Sequence, residues 1–334
     1  MPTPRAATTS KHAYRTWSPA HFSIPRVCAL SLVTTNYYVV PESWPNTALE
    51  LNVNWALAHG YTFTVFTEAI LRGSGKAAVL WDKPQATLRV LQMGARECAF
   101  AFHMDADAVV HTANLSLAPL LTSYFEPRAA THILFSSHGS QDAIGAVGVE
   151  ACRCARVGAA CSYRQTMPNY CTMINSGVYI VRNGELSKQM LGHWAGYCGG
   201  AALAKAQWSK DRSSEQKCAQ RIWEKWPAHV DLVHAHVMNA AAQVAAGSDC
   251  LRSPLFVCHF YGVPDDERTR RLQRELGERR EVLRAFVAAR GERYVERPGV
   301  ALLTSGAASS ERAEGGERAE GGAHAAGGEQ LGAQ

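Results

Sequence analysis

No stretch of the chain approaches the roughly 20 consecutive apolar residues that a membrane-crossing helix needs. Nor does its beginning show a basic segment, an apolar run and a small-residue cleavage site in that order, so the chain as it stands reads as soluble. One-sided charge is missing as well. The formal net charge is only +5, and the densest basic stretch, Arg268 to Arg290, is mixed with Glu267, Glu275, Glu278 and Glu281. Mixed signs mark a solvated helix face, and no aromatic stacking motif accompanies them, so nucleic acid is not expected as a partner. Zinc-type C-x2-C pairs are absent from the segment holding Cys152, Cys154, Cys161 and Cys171. Cysteine itself is plentiful: ten residues point to a lumenal, disulfide-permissive compartment, although spacing alone does not say which of them pair. The sequon Asn114-Leu115-Ser116 is compatible with secretion.

With 47% apolar residues over 334 positions, the chain can bury one large core or two small ones. Residues 1–24 mix Thr, Ser, Pro, Arg and His without periodicity and read as a flexible arm, with the fold beginning near Pro25. Residues 301–334 become Gly, Ala and Glu, with Glu311 to Gly316 repeated directly as Glu317 to Gly322. Such a tail buries too little apolar area to offset its ordering entropy and is expected to be disordered. The folded domain is therefore set at residues 25–300.

Within it, Val27 to Thr34 is an apolar run that reads as a buried strand. A helix follows, with Pro45 in its first turn and Gly60 placed to end it in a left-handed conformation. Tyr61 to Thr67 alternates like a strand, Pro84 to Cys98 has helical spacing, and Ala99 to Met104 reads as the next buried strand. Further on, His132 to Ser136, Met173 to Val181 and Leu255 to Phe260 read as strands, and Ser213 to Trp226 and Arg268 to Ala289 as helices. Alternation of this kind predicts an α/β fold with a mostly parallel central sheet, helices on both faces, and ligands at the carboxyl ends of the strands. The amphipathic stretch after Pro264 packs back on the domain or on a second subunit, which leaves a homo- or hetero-oligomer open.

Asp105-Ala106-Asp107 stands at such a strand end. Two carboxylates one residue apart can converge on one hard divalent cation, which can also take oxygens from a diphosphate. Ser213-Ser214-Glu215-Gln216 fits a helix capping box. Thr34, Thr35 and Asn36 suit a strand-exit turn.

Taken in order, His59-Gly60-Tyr61, Trp81-Asp82-Lys83, Phe102 to Ala108, Asn175 to Asn183, Glu215-Gln216 and His259-Phe260-Tyr261-Gly262 resemble the galactosyl/mannosyl/xylosyltransferase family 34 of glycosyltransferases, over roughly Arg26 to Gly262. The resemblance implies a GT-A (Rossmann-like) fold, a UDP- or GDP-sugar donor, Mn²⁺, a glycan or glycoprotein acceptor, and transfer with retention at the anomeric carbon. It implies Asp105, Asp107 and His259 as metal ligands. Lys83 would lie near the donor phosphates or the aspartates, and Thr34, Thr35 and Asn36 near the base and ribose. Ala106, Gly177 and Gly262 would line the donor site, and Asn175, Glu215 and Gln216 would stand near the reacting carbon. Members of this family usually reside in the Golgi lumen, membrane-associated through an anchor that this chain does not show. Two other readings compete: a haloacid-dehalogenase-like phosphatase, with Asp265-Asp266 as its later acidic pair, and a non-catalytic sugar-nucleotide-binding subunit.

Overall fold

The computed structural model describes residues 14–33, 43–66, 76–92, 98–137, 174–199, 214–233, 238, 240–241, 257–260, 263–296 and 298. The boundary at residue 301 lies outside them. The strands are β1 (Tyr14–Trp17), β2 (Val27–Leu32), β3 (Thr62–Phe66), β4 (Phe100–Asp105), β5 (Ala108–Val110), β6 (Ile133–Ser137), β7 (Ile174–Arg182), β8 (Val230–Val233), β9 (Ala240–Ala241) and β10 (Val257–His259). The helices are α1 (Trp44–Ala58), α2 (Lys76–Gln92), α3 (Ala118–Tyr124), α4 (Glu185–Gly199), α5 (Ser214–Lys225) and α6 (Asp265–Ala289).

A seven-stranded sheet runs β1-β3-β2-β4-β7-β6-β8, and a three-stranded sheet runs β5-β10-β9. In the large sheet β3, β2, β4, β6 and β8 point one way, while β7 runs antiparallel to both its neighbours and β1 antiparallel to β3. The expected mostly parallel α/β sheet is therefore present, with one reversed strand inserted beside β4.

Side chains alternate across the sheet. Val27, Ala29, Phe63, Val65, Phe102 and Met104 face a core closed by α1 and α6, whereas Cys28, Leu30, Ala101, Phe135 and Tyr179 face α2, α4 and α5. Covering both faces in this way is what a central strand of near-continuous apolar residues requires. α1 is buried from Pro45 to Ala58, between the sheet and α6, so its polar residues must be satisfied internally. Asn52 donates to the Ala108 carbonyl (2.8 Å) and accepts from the Val110 amide (3.0 Å), occupying the open edge of β5. Glu50 is held by Arg280 Nε (3.0 Å) and the Tyr294 hydroxyl (3.0 Å). α6 thus packs on its own domain, through Leu272, Leu276, Leu283 and Val287.

Gly60 has φ +73°, and a Cβ there would stand 2.8 Å from the His21 carbonyl oxygen, so the predicted left-handed stop is required twice over. His59 and Tyr61 hold the chain beyond β5 in place. The His59 ring contacts the Ala113 carbonyl (2.8 Å) and the Tyr61 hydroxyl accepts from the Leu117 amide (3.0 Å), anchoring the segment that follows β5.

Two expectations need correction. Tyr14–Trp17, placed in the N-terminal arm, form an edge strand, because Tyr14 and Trp17 pack on Phe66 and Phe63 of β3. The second helix starts at Lys76 rather than Pro84, so Pro84 lies in its interior. Packing of Ala86, Val90 and Leu91 against the sheet outweighs the lost backbone bond. At its other end Cys98 lies outside the helix, drawn to β2 by the Cys28–Cys98 disulfide.

Candidate active site

β4 ends at Asp105, and the chain turns through Ala106 and Asp107 into β5, which leaves the large sheet to pair antiparallel with β10. His259 stands opposite Ala108 in that pairing, and the Phe260 amide donates to the Asp107 carbonyl (2.8 Å). Two segments about 150 residues apart in sequence are thereby fixed side by side. The His259 ring nitrogen Nε2 lies 3.0 Å from Asp107 Oδ1 and 3.8 Å from Asp105 Oδ2. Asp105, Asp107 and His259 each offer a ligand atom, all within 4.8 Å of one another. Two carboxylates and one imidazole make a donor set that suits Mn²⁺ or a similar divalent cation, so these residues fit the metal implied above.

Cations surround the acidic pair. Lys83 Nζ lies 2.8 Å from Asp105 Oδ1 and 2.9 Å from Oδ2, with its side chain only 5% exposed. Arg268, in the first turn of α6, reaches within 3.8 Å of Asp107 Oδ2, stacks over Trp44 at 4.5 Å and donates to the Val263 carbonyl (2.8 Å). Burial on its own would raise the Asp105 pKa, but Lys83, His103 and His259 together hold it well below the usual carboxylate range. Asp107 is lowered in the same sense: His259 and Arg268 outweigh its burial and the repulsion from Asp105. Both carboxylates are therefore ionised at neutral pH.

Beneath the pair lies a buried polar stack. His103 Nε2 faces Asp105 Oδ1 at 3.4 Å, and its ring stacks on Tyr179 with centroids 4.7 Å apart. The Tyr179 hydroxyl meets Thr87 Oγ1 at 2.7 Å, and Thr87 donates to the Lys83 carbonyl. Burial lowers the His103 pKa and raises that of Tyr179, so both rings remain neutral.

The reversed strand β7 completes the site through a bulge. Between Phe135↔Tyr179 and Ser136↔Asn175, β6 advances one residue while Ser176, Gly177 and Val178 of β7 lie between the paired positions. This irregularity brings Gly177 under His259: a Cβ on Gly177 would come within 2.4 Å of His259 Cε1 and 2.9 Å of Nδ1. The Asn175 carboxamide oxygen accepts from the Gly177 amide (2.8 Å) and shapes the bulge. Bulges of this kind re-aim side chains beside active sites.

The structure thus brings together Lys83, Asp105, Asp107, Asn175, Gly177 and His259, with Ala106 partly buried in the turn. Gln216 is half-buried in the first turn of α5. Because α5 leads directly into β8, which runs parallel to β6, its N-terminus lies on the carboxyl edge of the sheet, the edge that carries Asp105. Thr34, Thr35, Asn36 and Gly262, and the side chain of Glu215, lie outside the described residues. Sequence reading missed His103 and Arg268. A His two residues before Asp105 on a buried strand carried a signal, whereas Arg268 is one of many arginines on α6 and carried none. Asp265 and Asp266, the acidic pair of the phosphatase reading, open α6 with side chains 69% and 78% exposed and are not part of the Asp105, Asp107 and His259 group.

No protein-family model and no curated protein sequence matches the chain. Among solved structures it is similar to a glycosyltransferase involved in the glycosylation of the major capsid of PBCV-1, at 12% identity and TM-score 0.51, covering 75% of this chain and 100% of that one. It also aligns with the WbbM bifunctional glycosyltransferase at 12% identity and TM-score 0.43, covering 81% of this chain and 53% of that one. A third alignment, with mouse xyloside xylosyltransferase 1, has 11% identity and TM-score 0.36, covering 71% of this chain and 99% of that one. The first likeness, together with the sheet order and the inserted antiparallel strand, defines a GT-A-like α/β fold. Among the described residues no helix is long and apolar enough to cross a membrane.

Proposed function

We propose that this chain is a metal-dependent glycosyltransferase that moves a hexose or pentose, such as galactose, mannose or xylose, from a UDP- or GDP-sugar to a glycan or glycoprotein acceptor. The observation that carries this reading is the convergence of Asp105, Asp107 and His259 at the carboxyl edge of a GT-A-like sheet. In such a transfer the bond from the anomeric carbon to the donor diphosphate breaks, a bond to the acceptor oxygen forms, and the acceptor hydroxyl gives up its proton. A divalent cation held by these three residues would supply charge stabilisation for the departing diphosphate, a large catalytic term in reactions of this kind.

The protein's own groups prepare that site. Lys83, His103 and Arg268 keep the carboxylates ionised and fixed, and the Asn175–Gly177 bulge holds the His259 ring against Asp107. Retention at the anomeric carbon, and roles for Asn175, Glu215 and Gln216 beside that carbon, follow from the resemblance to family 34. So does a secretory-pathway lumen as the working compartment, a reading supported by the buried Cys28–Cys98 disulfide.

The test is nucleotide release by the full chain from a panel of UDP- and GDP-sugars, with and without Mn²⁺. Release from one donor, lost on chelation and in Asp105→Ala and Asp107→Ala, is expected. Unchanged release in either variant would overturn the proposal, and tight nucleotide binding without any turnover would favour a binding subunit.

A further inference from the structure

Lys83 is placed unusually for a residue that only greets a substrate. Its ammonium spans both oxygens of Asp105, at 2.8 and 2.9 Å, from a side chain that is almost fully buried. Arg268 stands farther from Asp107, at 3.8 Å, and donates to the Val263 carbonyl. Two carboxylates are thus faced by two permanent cations before any ion arrives. A divalent cation coordinating Asp105 would share that carboxylate with Lys83 and feel its repulsion at short range, where water screens poorly. A diphosphate beside the aspartates changes the balance, because its negative charge offsets both cations and gives the flexible lysine an alternative partner.

We propose that Lys83 is an internal counter-ion for Asp105 that competes with the divalent cation, and that the donor diphosphate relieves the competition, so that metal and nucleotide bind cooperatively through this lysine. The proposal rests on the donor reading given above and adds the order of events. Metal alone binds weakly, and the site charges fully only when the nucleotide is present. Linkage makes the effect reciprocal, so the metal tightens the nucleotide by the same factor. Such gating would keep the site from trapping a cation, or a nucleotide, unproductively.

The test is a Mn²⁺ titration of the full chain by electron paramagnetic resonance, alone and with saturating UDP or GDP. It compares the wild type with Lys83→Met, Lys83→Gln and Lys83→Arg. In the wild type, nucleotide is expected to tighten Mn²⁺ by a factor in the range of about 5 to 150, as for ordinary coupling between sites. Lys83→Met and Lys83→Gln are expected to bind Mn²⁺ alone about tenfold tighter than the wild type, with the coupling factor reduced by about the same amount and the remainder due to direct contact between cation and diphosphate. Lys83→Arg, which keeps the cation, should retain the wild-type coupling. A purely structural lysine predicts the opposite sign, so neutral variants that fold and bind Mn²⁺ alone no more tightly than the wild type overturn the proposal. If Lys83→Met does not fold, Lys83→Gln carries the comparison, and a thermal midpoint raised more by Mn²⁺ in the neutral variant than in the wild type supports it. Failure of the wild type to bind UDP or GDP at any Mn²⁺ concentration would sink the donor reading and the coupling together. The Mn²⁺-only comparison decides the competition at Asp105 separately.

Discussion

Replacing Gly177 with Ala places a single methyl group where the His259 ring already sits. The added Cβ would lie 2.4 Å from Cε1 and 2.9 Å from Nδ1 of that ring, and 3.0 Å from the Asn175 carboxamide oxygen. Comfortable carbon contacts begin near 3.5 Å, so the ring has to retreat by about 1 Å. His259 cannot retreat freely, because β10 is paired on both sides, with β5 and β9, and the Phe260 amide is bonded to Asp107. The methyl group therefore tilts the ring away from Asp107 or strains the bulge. Overpacking of this size costs about 1–3 kcal/mol. Losing the support of a metal-ligating histidine typically weakens the site by about 10- to 100-fold. The expected outcome for Gly177→Ala is a folded protein with Mn²⁺ affinity and nucleotide release both reduced by about that factor. A double-mutant cycle sharpens the test: in a His259→Ala background the ring is gone, so the added methyl should cost little further, giving strong non-additivity. Gly177→Ala with wild-type Mn²⁺ affinity and turnover would refute the view that this glycine exists to seat His259, as would strictly additive losses.

Gly192→Ala makes the contrasting glycine substitution, inside α4 with nothing within 4 Å of the new Cβ. It should stabilise the fold by about 0.4–1 kcal/mol, read as a higher thermal midpoint with unchanged Mn²⁺ affinity. Cys28 and Cys98 are separated by 70 residues, and opening that loop in Cys28→Ala/Cys98→Ala should cost about 4 kcal/mol by chain entropy. Urea unfolding would check this, and a loss under about 1 kcal/mol would argue against the disulfide as a principal staple. Asp105 has a depressed pKa in the folded state, so its pairing contributes fully above about pH 4, the unfolded aspartate range, and is lost only as pH falls further through the folded value. Acid unfolding should therefore begin at higher pH in Lys83→Met than in the wild type, and identical acid transitions would contradict the pairing.

Part of this molecule is legible in the order of its residues. Burial on both faces of a strand forces a continuous apolar run, which makes Val27–Leu32 and Phe100–Asp105 recognisable, and the left-handed stop at Gly60 is equally plain. Asp105 and Asp107 are readable because their spacing is local. Less legible are elements whose reason for forming lies elsewhere in the chain. Tyr14–Trp17 is a strand only because the edge of β3 is open to it, and α2 tolerates Pro84 only because the sheet buries its following turns.

The sequence by itself determined the alternation of strands and helices and the acidic pair Asp105 and Asp107 at a strand end, since each depends on residues close together along the chain, whereas His259 was reached only through the resemblance to family 34. Tertiary structure alone decided which distant groups meet. The reversal of β7, the pairing of β5 with β10, the seating of His259 over Gly177, the Arg268 contact and the Cys28–Cys98 link all join segments separated by tens to hundreds of residues. Their juxtaposition is a property of how the two faces of the sheet are packed, and no local pattern encodes it.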